Sequence, residues 1–165
     1  MHSIAQIGDH IARAESLDDE TEAVRLKALR NLTQRLPIRA SGKRGRADLY
    51  DTPTAAAIRL VDLAREMGIG RAVLHDFTLL LGGTDMLAPV AQGSKPTVAE
   101  RMVARARAGE HFEVTISRSV DGRIAYAFGH PRSTVEDDAF GWQTAAVFSL
   151  RASGLICDLI ADLEG

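Results

Sequence analysis

Apolar residues recur every three or four positions at the start of the chain, which is the spacing of one face of a helix. Ile4, Ile7 and Ile11 follow this spacing and predict a first helix from about Ser3 to Glu15. The polar stretch from Ser16 to Glu20 ends it. The chain therefore opens with a short amphipathic helix and an acidic turn.

A second helix is predicted from about Thr21 to Leu36. Asp18 or Asp19 can cap its first turn, and Pro37 disfavours helical geometry in the residue before it. Its apolar stripe is Val24, Ala28, Leu29, Leu32 and Leu36.

The opposite stripe of the second helix is polar, with the spacing i, i+3, i+4, i+7. Its members are Lys27, Arg30, Asn31 and Gln34. These residue types contact bases and phosphates in a DNA major groove, so the stripe is interpreted as a recognition surface. The alternative is a face that only meets solvent.

A basic hairpin is predicted next. The segments from Ile38 to Ala40 and from Ala47 to Tyr50 can pair as strands, with a turn from Ser41 to Arg46 that contains two glycines. The cations at its tip are Lys43, Arg44 and Arg46. They are placed to contact phosphates or a minor groove.

Two more helices follow the hairpin. Thr52 suits the N-cap of the third helix, Pro53 its first turn and Gly68 its C-terminal end. Its predicted core stripe is Ala57, Ile58, Leu60, Val61, Ala64 and Met67. A fourth, shorter helix is predicted from about Gly70 to Leu81.

The second half of the chain predicts a helix, a hairpin and a helix. Thr97 opens a capping box and its helix stops at Gly109. Alternating strands from His111 to Arg118 and from Ile124 to Phe128 flank an Asp-Gly turn. The last helix is predicted from about Asp138 to Leu163, and the hairpin is expected to pack on both helices.

The net charge of −2 hides a strong asymmetry. Eight cations and no acid lie between Ala23 and Ala47, whereas acids outnumber cations after His111. Exposed helices usually mix charges of both signs, so an acid-free block indicates phosphate binding. These eight cations and the two amides of the second helix are predicted to contact DNA: Arg25, Lys27, Arg30, Asn31, Gln34, Arg35, Arg39, Lys43, Arg44 and Arg46.

The order of helix, acidic turn, basic helix, basic hairpin and helix is that of a winged helix-turn-helix. The stretch from Ala23 to Ile69 resembles the DNA-binding domain of MerR-type regulators, because Leu49-Tyr50-Asp51 matches the end of their wing and Leu63 to Ile69 matches the end of the following helix. The resemblance implies DNA binding. The chain departs from the family at Leu29 to Leu32, where the family has aromatic residues, and at residues 82–96, where the family has a long dimerisation helix. Excisionases and phage terminase small subunits share the winged module.

The predicted fold is α+β and mainly helical. It comprises a winged helix-turn-helix domain at residues 1–81, a linker at 82–96 and a dimerisation, effector or partner domain at 97–165. The linker is placed on its glycines and prolines.

The chemistry of an enzyme or a metal site is not apparent in the sequence. The five histidines are scattered, and Cys157 is a single cysteine that is expected to be buried packing. No catalytic residue, metal or cofactor is therefore predicted. The lone cysteine and the absence of a secretory pattern at the start of the sequence favour a cytoplasmic protein. No apolar run is long enough to span a bilayer, so the protein is not expected to cross a membrane.

The function predicted from these observations is a dimeric transcriptional regulator that binds double-stranded DNA with sequence preference. RNA polymerase or a second regulator is a possible further partner. One alternative is a DNA-binding factor of a phage or mobile element, such as a terminase small subunit or an excision factor. The other is a protein-interaction adaptor.

Overall fold

The computed structural model describes residues 1–86, 94–129 and 143–165. Within these ranges the chain is α+β, with six helices and two small antiparallel sheets. The first half contains β1 (His2–Ser3), α1 (Ile4–Glu15), α2 (Asp19–Arg35), β2 (Gly42–Arg44), β3 (Ala47–Tyr50), α3 (Thr52–Glu66) and α4 (Arg71–Gly82). The second half contains α5 (Val98–Arg107), β4 (Glu113–Ser119), β5 (Ile124–Gly129), β6 (Thr144–Leu150) and α6 (Ala152–Glu164).

The first sheet has the strand order β1-β3-β2. A two-residue loop, Gly45-Arg46, joins β2 to β3, and Gly45 has a φ of 62° there. Because the loop has only two residues, the strand that pairs with β3 is Gly42–Arg44. The strand predicted at Ile38 to Ala40 is therefore wrong. Strand β1 was not predicted, because two residues are too few to show an alternating pattern.

Side chains cap the helices much as their local sequence predicts. Asp18 accepts a hydrogen bond from the Thr21 backbone N–H at 2.8 Å, and this bond lowers the pKa of the Asp18 carboxyl. Thr97 and Glu100 form the predicted capping box. The N-cap of α3 is Asp51, which accepts from the Thr54 N–H, and not Thr52 as predicted.

The second sheet has the order β5-β4-β6, with β4 in the centre. Strand β6 corrects the prediction of one long C-terminal helix, because residues 144–150 pair with β4 and α6 begins only at Ala152. Ile116 of β4 lies opposite Phe148 of β6. This pairing provides β4 with a second neighbour, and it outweighs the local helical pattern. The start predicted at residue 138 lies outside the described residues.

The buried residues of both halves form one hydrophobic cluster. Helix α3 contacts α4, α5 and α6, and the Phe77 ring of α4 stacks on Tyr126 of β5 with centroids 5.9 Å apart. The Tyr126 hydroxyl also donates to the Val73 carbonyl oxygen at 3.1 Å. The core therefore contains residues from both sides of the linker predicted at residues 82–96.

None of the helices in the described ranges is long and apolar enough to cross a membrane.

Candidate nucleic-acid interface

The buried face of α2 agrees with the predicted stripe at Leu29, Leu32 and Leu36 but differs from it at the start of the helix. Arg25, Leu29 and Leu32 lie on it, and Leu36 follows at the helix end. Val24, predicted to be apolar packing, is 65% exposed. Arg25 therefore occupies the inward position that Val24 was expected to take.

Arg25 lies in a cluster of ion pairs between the end of α1, α2 and α3. Its Nε donates to Asp62 Oδ2 at 2.8 Å, and its two Nη atoms lie 3.1 Å from Glu15 Oε1 and 2.8 Å from Glu66 Oε2. Asp62 is fully buried and also accepts from Arg65. Since Arg25 is only 9% exposed, its assignment to the DNA-contacting set is corrected to a structural ion pair.

The polar face of α2 is open to solvent. Lys27, Arg30, Asn31 and Gln34 are all exposed, as is Arg35. Residues at i, i+3, i+4 and i+7 lie on the same side of a helix. The face therefore presents two cations and two amides side by side, next to a third cation.

The hairpin of β2 and β3 carries further exposed cations. Lys43 and Arg44 lie on β2, Arg46 lies in the loop, and Arg39 precedes the hairpin. Lys43 lies 3.7 Å from Asp48 across the strands, and both side chains are more than half exposed. An exposed pair at this distance leaves Lys43 available to another anion.

Most cations of this segment are not neutralised by a neighbour. No salt bridge within the described residues involves Lys27, Arg30, Arg35, Arg39, Arg44 or Arg46. Elsewhere most arginines are paired with a carboxylate, as Arg107 is with Glu164 and Arg101 with Asp85. The α2–hairpin segment, defined as residues 27–46, therefore has unbalanced positive charge on its surface, which attracts polyanions.

A shallow groove lies beside this segment, between α2, α3 and the start of α4. Arg35, Arg65 and Arg71 line it together with buried leucines. The sequence did not indicate that Arg65 and Arg71 lie near the basic residues of α2, because both come after the basic stretch in the chain. Only the packing of α3 and α4 against α2 brings them close.

Side chains that could together hold a metal ion are not grouped in the described part of the chain. No cluster of three or more His, Cys, Asp or Glu residues that could hold a metal occurs there. Cys157 is exposed, contrary to the prediction that it is buried, and its Sγ lies 3.6 Å from the Ala106 carbonyl oxygen.

Comparisons with known proteins do not assign the chain to a family. No protein-family model, curated protein sequence or solved structure matches it.

Proposed function

We propose that this chain binds double-stranded DNA through the α2–hairpin segment and regulates transcription. The observation that carries the proposal is the open face of α2, where Lys27, Arg30 and Arg35 are exposed and lack a carboxylate partner within the described residues. DNA phosphates would supply the missing negative charge.

Two further features support DNA as the partner. Asn31 and Gln34 lie between the cations, and their amides can form paired hydrogen bonds with adenine in a major groove. A winged helix-turn-helix also has two helices joined by a tight turn and followed by a hairpin, and α1, α2 and the β2–β3 hairpin have this order. We propose that α2 enters the major groove and that the hairpin contacts the flanking backbone.

A dimer is part of the proposal. One helix-turn-helix unit has a small footprint on DNA, and two copies bound to adjacent half-sites gain affinity and sequence preference. Sedimentation of the free protein and of its complex with a duplex measures the number of copies. One copy per duplex would contradict the dimer and leave DNA binding unaffected.

Fluorescence anisotropy with a labelled duplex tests DNA binding. The Arg30→Gln/Arg35→Gln double variant is expected to bind at least about tenfold more weakly than the unaltered chain, with a shallower dependence on salt, because each lost phosphate contact removes about 0.9 from the log–log slope. Arg118→Gln/Arg151→Gln is the matched control, since it also removes two positive charges and both arginines are exposed.

Absence of duplex binding at low salt would overturn the proposal. An Arg118→Gln/Arg151→Gln variant that binds as weakly as the α2 variant would overturn the interface, because the attraction would then depend on overall charge alone.

A further inference from the structure

We propose that the groove between α2, α3 and α4 binds a small organic anion with an apolar body. This site is separate in function from DNA binding, although Asn31 and Arg35 belong to both surfaces. The groove is open to solvent and has a volume of about 330 Å³, which is at the lower end of the range for small-molecule sites.

The floor of the groove is apolar. Leu32, Leu36 and Leu74 line it, and each is at most 9% exposed. These side chains come from α2, the residue that ends it and α4, so the floor is fixed by the packing of two helices. A flat hydrocarbon or aromatic group can cover this surface and gain the free energy of leaving water.

The rim of the groove is positively charged. Arg35 and Arg71 are exposed and form no salt bridge within the described residues, whereas Arg65 is balanced by Asp62 and Glu66. No acidic side chain lines the groove in the part of the chain that the structure describes. Two uncompensated guanidinium groups beside an apolar floor select an anionic head, because arginine binds carboxylate and related groups with paired hydrogen bonds.

These two properties together define the ligand class. An inorganic anion would leave the leucine floor uncovered, and an uncharged hydrocarbon would leave both arginines without a partner. An aryl or alkyl carboxylate satisfies both parts of the groove. The ligand is expected to place its charged group between Arg35 and Arg71, with its body over Leu32 and Leu74.

A titration followed by amide NMR shifts tests the site with three probes: 2-naphthoate, the uncharged 2-naphthalenemethanol of similar shape, and acetate. Saturable shifts are expected with 2-naphthoate alone, centred on the backbone amides of Leu32, Leu36 and Leu74. The Arg71→Gln variant should weaken 2-naphthoate binding at least about fivefold, as expected for loss of one charge-assisted hydrogen bond. Its otherwise unchanged spectrum would show that the fold is intact.

Arg118→Gln alone is the control here, because it removes one charge from an exposed arginine outside the groove. It should bind 2-naphthoate as the unaltered chain does. Equal binding of the uncharged alcohol, shifts centred outside the groove, or no effect of Arg71→Gln would each overturn the proposal. Arg71 lies outside the α2–hairpin segment, so Arg71→Gln should leave duplex affinity unchanged. If Arg71→Gln weakens duplex binding but not 2-naphthoate binding, the groove arginine contacts a DNA phosphate and the ligand site is refuted.

Discussion

Arg25 of α2 donates a hydrogen bond from its Nε to Oδ2 of Asp62 in α3, with the two atoms 2.8 Å apart. Asp62 has no exposed surface, and its other carboxylate oxygen accepts from Arg65. A buried charge is tolerated only when it is paired and hydrogen-bonded. This pair therefore fixes how α2 lies on α3, and with it the direction in which the basic face of α2 points.

The first prediction concerns the stability of this contact. Asp62→Asn is expected to lower the free energy of unfolding by about 3 kcal/mol, because it leaves the Arg25 charge buried with one carboxylate fewer. Urea denaturation followed by circular dichroism measures the change. Asp48→Asn is the control, since Asp48 pairs with Lys43 at the surface, and it should cost less than about 1 kcal/mol. Equal losses in the two variants would contradict a structural role for the buried pair.

The pairing of Arg25 with Asp62 could not be predicted from the sequence. The positions of Val24 and Arg25 differ by 100° around a helix, and hydrophobicity alone favours Val24 as the buried one. The carboxylates that neutralise the buried Arg25 side chain belong to Glu15, Asp62 and Glu66. All three residues lie on other helices, Glu15 on α1 and the other two on α3. No local pattern indicates that they will meet.

Features governed by neighbouring residues were predicted more successfully. The Asp18 cap and the capping box of Thr97 and Glu100 depend on residues three positions apart. The capping box was predicted, and Asp18 was one of the two caps predicted for α2. Strand β6 depends on pairing with β4, about thirty residues earlier, so its own apolar pattern was mistaken for a helix. At the site, the nine residues other than Arg25 that were predicted to contact DNA are all exposed. Arg65 and Arg71 join the groove only through tertiary packing.

The second prediction concerns the tip of the basic hairpin. Gly45 has a φ of 62° at the first position of a two-residue loop, a backbone conformation that costs a residue with a side chain about 1–2 kcal/mol. Gly45→Ala is therefore expected to lower the free energy of unfolding by about 1 kcal/mol in thermal or urea denaturation. The added Cβ meets no atom within 4 Å, so the cost comes from the backbone alone.

Gly154→Ala is the matched control for this variant. Gly154 lies inside α6 without positive φ, and an added Cβ there also meets nothing within 4 Å. Alanine is favoured over glycine in a helix, so this variant should gain about 0.5–1 kcal/mol. Opposite signs for the two substitutions would support the loop geometry, and a stabilising Gly45→Ala would exclude it.

The third prediction concerns pH and the turn between β4 and β5. A hydrogen bond from the Ser119 hydroxyl, followed by one from Arg123, lowers the pKa of Asp121 to about 2. The folded pKa is below the ordinary value of 3.8, so the stabilising contribution of this carboxylate is fully present at pH values well above 3.8. It is lost as the pH falls from there through about 2. Ser119→Ala is expected to raise the pKa of Asp121 toward 3.8, as measured by NMR titration of its carboxyl carbon.

Ser149→Ala is the control for this titration. The Ser149 hydroxyl donates to Glu113 and not to Asp121, so the variant should leave the pKa of Asp121 at about 2. An Asp121 pKa that stays near 2 in Ser119→Ala would show that Arg123 alone lowers it.

The last prediction separates the two arginines of α2 that the sequence placed in one set. Arg25→Gln is expected to lower the free energy of unfolding by about 2–3 kcal/mol, because Asp62 loses a charged partner inside the protein. Arg30 is exposed and forms no salt bridge with a described residue, so Arg30→Gln should change stability by less than about 0.5 kcal/mol. The effects on duplex binding should be the reverse. Arg30→Gln is expected to flatten the salt dependence by about 0.9 in the log–log slope, whereas Arg25→Gln leaves the slope unchanged at temperatures where it is folded.

Both variants remove one positive charge from the same helix, so their net charges are equal and only the location of the charge differs. Anisotropy titrations at several salt concentrations give the slope, and urea denaturation gives the stability of each variant. If Arg25→Gln flattened the slope as much as Arg30→Gln does, the DNA would be responding to the total charge of the chain. A reduced slope for Arg30→Gln alone would instead indicate that the exposed face of α2 is where phosphate is bound.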